Sequence, residues 1–169
     1  MEEQKNKKSI RIRDIISYIF VIALLIFAIN FYKANNFNDF VKAESKLHTS
    51  EFERDAEVKY SKASSYKITN DVYNDAMFFD TDQVQPNTPY KVTCMVKTKN
   101  VISKNENTDS GAHICISGTT EKSDNLQGTN DWTELTFYFN SKNRTEVNIG
   151  FRLGGYEDEC TRNSVVFRF

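Results

Sequence analysis

Two patterns of apolar and polar positions divide the chain. From Ile15 to Tyr32 the sequence carries no charge, and its polar interruptions before the final tyrosine are Ser17, Tyr18 and Asn30. A helix lying on a soluble surface keeps a polar stripe at a period of about 3.6 residues, and this run has none. As a helix it spans about 27 Å at about 1.5 Å per residue, close to the roughly 30 Å of a bilayer's hydrocarbon core. The pattern predicts one transmembrane helix over 15–32. Residues 33–50 are polar with scattered Phe37, Phe40, Val41 and Leu47, and read as a spacer.

From about Glu51 the period becomes two, as in half-buried strands. Glu57–Tyr60 and Tyr66–Thr69 alternate, and Ala76–Phe79 is a short apolar run. Tyr90–Thr98 is the clearest strand, with Tyr90, Val92, Cys94 and Val96 on one face. In Gly111–Gly118 the shared face is Ala112, Ile114 and Ile116; in Trp132–Asn140 it is Leu135, Phe137 and Phe139. Val147–Leu153 sends Val147, Ile149, Phe151 and Leu153 inward, and Val165–Phe167 closes the series. Asn70-Asp71, Asn74-Asp75 and Pro86–Pro89 read as turns. Short strands separated by polar loops, without crossover helices, predict an all-β antiparallel β-sandwich or barrel over 51–169.

Charge orients the anchor. Lys5, Lys7, Lys8, Arg11 and Arg13 precede the apolar run, and Lys33 alone follows it before a mixed-charge region. The positive-inside rule places residues 1–14 in the cytoplasm, as a basic tail, and the β-domain outside a single-pass cell membrane. The competing reading is a cleavable signal peptide. The run is long for that, and no clean small-x-small site follows Ala28 or Ala34.

The chain has 22 Lys+Arg against 23 Asp+Glu, a net charge of -1. That balance argues against a nucleic-acid partner, which needs positive charge to neutralise phosphates. The three cysteines allow at most one disulfide. Cys94 and Cys115 sit in strand-like runs and read as small apolar core residues. No Cys-x-x-Cys pair, Gly-x-Ser-x-Gly turn or phosphate-cradling glycine loop is present, and nothing selects a catalytic pair. His113 reads as a strand residue on a solvated face, out of phase with Ile114. The acidic run 156–159 offers clustered carboxylates of the kind calcium takes; a solvated loop is the plainer reading, and no cofactor is required.

Further residues carry a resemblance. Ser64–Ala76, then Val84–Tyr90 leading into a strand that ends Val96-Lys97-Thr98, then Gly128–Leu135 and Ile149–Gly154, follow one another in an order that resembles the galactose-binding-like jelly rolls of bacterial carbohydrate-binding modules. The likeness covers about Phe52–Phe169. It departs at the end, where Cys160–Phe169 is short and lacks the family's closing aspartate, so the domain is expected either to end unusually or to be truncated there. The resemblance implies a non-enzymatic domain that binds a glycan or cell-surface polysaccharide in a cleft on one sheet. The implied site residues are Tyr73, His113, Asn148 and Arg152, with Tyr73 as the aromatic; Trp132 reads as structural. The alternatives are a protein-interaction or assembly module, and the N-terminal fragment of a larger surface enzyme.

Overall fold

A computed structural model describes residues 12–35, 42–61, 65–105, 109–155 and 161–168. A 24-residue helix, α1 (Ile12–Asn35), contains the uncharged run. Its described side chains run from Ile15 to Ile29, about 22 Å of axis at about 1.5 Å per residue. The large apolar side chains among them are exposed. Among the described residues no helix is long and apolar enough to cross a membrane.

Residues 37–169 form a second unit. Its strands are β1 (Lys42–Ser45), β2 (Glu51–Asp55), β3 (Ser65–Asn74), β4 (Ala76–Gln83), β5 (Pro89–Ser103), β6 (Gly111–Ile116), β7 (Gly128–Asn140), β8 (Glu146–Gly154) and β9 (Thr161–Arg168). They make two antiparallel sheets, a four-stranded one in the order β1-β4-β8-β6 and a five-stranded one in the order β2-β3-β9-β5-β7. The predicted all-β, two-sheet architecture is what the chain adopts.

The period-two pattern decides which faces meet. Phe78 of β4, Phe151 of β8 and Phe167 of β9 form one aromatic knot that joins the sheets. The Phe78 and Phe151 rings stack at 4.9 Å, and both meet Phe167 edge-on at 5.6 and 5.7 Å. Val96, Ile114, Leu135, Val147, Leu153 and Val165 fill the space around them. Cys94 is buried in the inward phase it shares with Val92 and Val96, and Cys115, out of phase with Ile114, is buried on the other face of β6. Burial pushes the Cys94 thiol up to about 12, against a weaker downward pull from the Arg168 backbone and then its charge.

Local chemistry redraws four boundaries. The 33–50 spacer contains β1, which pairs with β4 and has no apolar alternation to announce it. The strand expected at Glu57–Tyr60 is irregular, because the Asp55 carboxylate accepts the Glu57 and Val58 N–H groups at 2.8 Å each and turns the chain. Asn70-Asp71 is no turn: β3 runs on through an irregularity between Asn70 and Asn74. Of residues 121–131, expected as one long polar loop, 128–131 open β7 and 121–127 are stitched along β6 by Ala112 N–H to Leu126 O and Ser123 N–H to Ile114 O.

Candidate functional site

Three of the four residues singled out from the sequence share the outer face of the four-stranded sheet. His113, Arg152, Met77 and Glu44 stand in one row across β6, β8, β4 and β1. Asn148 lies further along β8, where its Oδ1 accepts from Thr81 Oγ1 at 2.8 Å. Arg152 is committed to a fork-to-fork ion pair, with Nε 2.6 Å from Asp75 Oδ1 and one Nη 2.5 Å from Oδ2. The same nitrogen donates to the Gly155 carbonyl at 2.7 Å. A hollow of about 380 Å³ opens beside this pair, lined by Glu44, Ser45, Asp75, Met77, Ser117 and Arg152 among others. Met77 lies down over Gly150, where a Cβ would stand 2.5 Å from its sulfur. No aromatic ring lines this hollow among the described residues.

His113 is not on a solvated face, because both faces of β6 are buried and its side chain has no exposure. Packing of residues 121–127 against β6 brings Lys122 beside it. Burial first, then the Lys122 and Arg152 charges, push the imidazole down to about 3. The Gly111 backbone and Asp109 pull weakly the other way. The folded state therefore keeps His113 neutral where the unfolded chain, with an ordinary value near 6.5, takes up a proton. Its contribution is complete above pH 6.5 and declines as the pH falls toward 3, by at most about 1.4 kcal/mol per pH unit. Urea unfolding at pH 7, 5 and 4 is expected to show that loss, and His113→Gln to flatten it. An unchanged slope in the variant would assign the acid sensitivity to carboxylates.

Tyr73 belongs to the other sheet, on β3, with the Arg162 guanidinium 5.2 Å over its ring. The residues expected to form one site are thus split between two sheets.

The outer face of the five-stranded sheet holds what the first hollow lacks. In β7, Leu135, Phe137 and Phe139 point inward, so Trp132, Glu134, Thr136 and Tyr138 take the outer phase. Tyr138 is 74% exposed. The turn at Asp55 carries Tyr60 across this face, where its ring meets Trp132 edge-on at 5.7 Å. A hollow of about 340 Å³ beside them is lined by Tyr60, Ser61, Thr93, Met95, Glu134 and Arg168 among others. Lys97 binds Asp131 at 2.7 Å next door. That bond first, then the Trp132 N–H, holds the Asp131 carboxyl below its ordinary value. Rings, hydroxyls, a carboxylate and a guanidinium on one open surface can stack against the apolar side of a ring and bond to its polar edge. Phase alone could have located Trp132, which is out of step with Leu135, Phe137 and Phe139. Tyr60 reaches the face through a turn that alternation does not report.

Solved structures that resemble this sandwich include two carbohydrate-binding modules. One is the CBM22-1 xylan-binding domain of Paenibacillus barcinonensis Xyn10C, 14% identical, covering 77% of this chain and 84% of that one at a TM-score of 0.43. The other is a family 29 carbohydrate-binding module, CBM29_1, from Piromyces equi, also 14% identical, covering 79% and 83% at a TM-score of 0.38. Likeness at this level carries no argument about what the present chain binds. No protein-family model and no curated protein matches the sequence.

Proposed function

We propose that the β-sandwich is a non-catalytic module that binds a glycan or surface polysaccharide on the outer face of its five-stranded sheet. The observation that carries this reading is the Tyr60–Trp132 pair beside Thr93, Glu134 and Arg168. A pyranose offers a patch of C–H groups to an aromatic ring and a rim of hydroxyls to polar side chains, and this surface supplies both. A glycan array probed with the full chain in detergent is expected to give selective signals that Tyr60→Ala weakens at least tenfold. A blank array contradicts the reading.

The apolar run Ile15–Tyr32 supports a second part of the proposal, that the module is held at a membrane by its N-terminal helix, with the basic tail inside and the sandwich outside. Full-length protein is expected to stay with the membrane fraction through carbonate extraction. Leu24→Arg with Leu25→Arg is expected to release it, since each arginine costs about 2.5–3.5 kcal/mol at a helix centre. Release of the unsubstituted chain contradicts the anchor.

A further inference from the structure

The aromatic pair has a charged neighbour on the same face of the five-stranded sheet. Ile68, Val96, Thr98 and Val165 are buried in the inward phase of β3, β5 and β9, so Lys67, Lys97, Lys99 and Val166 take the outward one. Register brings the lysines together. Lys67 and Lys97 flank Val166 from its two sides, and Lys99 stands opposite Ser164, one outward position along. With Val58, Ser164 and Val166 they line a hollow of about 230 Å³. The one carboxylate in its lining, Asp55, already accepts the Glu57 and Val58 N–H groups. Lys67 reaches Glu53 at 2.6 Å and Lys97 reaches Asp131 at 2.7 Å, carboxylates that are 53% and 84% exposed. Exposed pairs of this kind hold weakly, so an anion on a ligand can displace them. Among the described residues no carboxylate pairs with Lys99. Lys97 joins this hollow to the aromatic pair, because its partner Asp131 precedes Trp132 in the chain.

Resting on the sugar-binding reading above, we infer that the glycan is an anionic one, whose carboxylate, sulfate or phosphate groups are held by Lys67, Lys97 and Lys99 while a sugar ring lies on Tyr60 and Trp132. A hydrogen bond from an ammonium to an anionic oxygen is stronger than one to a neutral hydroxyl. Lysine is a compact point charge on a flexible stem, which suits acidic groups of more than one shape. A neutral polysaccharide on the same face would pass three ammoniums without using their charge. The whole chain, at a net charge of -1, has no general attraction for polyanions, so preference for an anionic chain has to come from this patch.

The test uses the full chain in non-ionic detergent and three immobilised polymers: polygalacturonate, dextran sulfate and poly(glycerol phosphate). Methyl-esterified polygalacturonate and dextran are the neutral counterparts, and polyglutamate is a polyanion without sugar. At least one anionic polymer is expected to bind at least tenfold more tightly than the neutral polymers and polyglutamate, and the one preferred tells carboxylate, sulfate and phosphate apart. Lys67→Gln with Lys99→Gln, changes outside the core, should weaken that binding at least tenfold. Added salt should weaken the unsubstituted protein more steeply than this variant. Trp132→Ala should weaken it as well. Equal binding of a neutral counterpart would overturn the inference and leave the sugar reading standing. Equal binding of polyglutamate, unchanged binding in the lysine variant, or no binding of any anionic polymer would each overturn it too, with the glycan array deciding the sugar reading separately. Unchanged binding in Trp132→Ala, with loss in the lysine variant, would overturn both.

Discussion

Replacing Arg152 by alanine is expected to lower the unfolding free energy by about 3–5 kcal/mol, the usual result of removing one partner from a buried ion pair. The two side chains are 12% and 6% exposed, so water screens little of their attraction. Asp75 sits in the single-residue turn between β3 and β4, and Arg152 holds that turn against β8 by two short bonds to the carboxylate. Without the guanidinium, a carboxylate stays buried with its main partner gone. Asp75→Leu together with Arg152→Met is expected to cost far less than the two single changes summed, because no charge is then left behind. Urea denaturation of the four proteins measures this. A loss below about 1 kcal/mol in Arg152→Ala would mean that the pair behaves as a surface contact.

Asn74→Ala is expected to cost about 2–3 kcal/mol, with most of the damage in one place. The Asn74 side chain is fully buried. Its oxygen accepts the Leu47 and His48 N–H groups at 3.0 and 3.1 Å. Its nitrogen donates to the His48 carbonyl, Ser45 Oγ and Ser50 Oγ at 2.6, 2.5 and 2.8 Å. This one amide ties the β1–β2 connection to the end of β3, and each buried group left unpaired costs about 1–3 kcal/mol. Leu47 and His48 are themselves exposed, so water takes over part of that loss. Hydrogen exchange should speed up across 42–50 while the amides of β5, β7 and β9 keep their protection. Uniform loss over the sandwich would contradict so local a role.

The fold was legible wherever alternation was strong. Val147, Ile149, Phe151 and Leu153 report a face each, and β8 lies where they predict with those residues toward the core. Reading failed where polar groups carry structure. Asn70 resembles a turn residue but spans an irregular strand, its Nδ2 reaching the Asn74, Leu153 and Thr161 carbonyls. β1, Lys-Ala-Glu-Ser, has no apolar alternation to read. The site was less legible. Period two gives Arg152 and Asn148 their outward face correctly, but it cannot tell that Asp75 occupies Arg152 or that His113 is enclosed. Those facts depend on strand neighbours far away in sequence.

The central claim is that sugar meets this protein on the Trp132 face. Affinity electrophoresis of the full chain in detergent, through gels containing the polysaccharide that scores highest on the array, tests it most directly. Trp132→Ala is expected to reduce retardation at least tenfold and Trp132→Phe to restore much of it. Asn148→Ala, on the other sheet, is expected to leave it unchanged. Full retardation of Trp132→Ala, with loss in Asn148→Ala, would move the site to the four-stranded sheet and contradict the account.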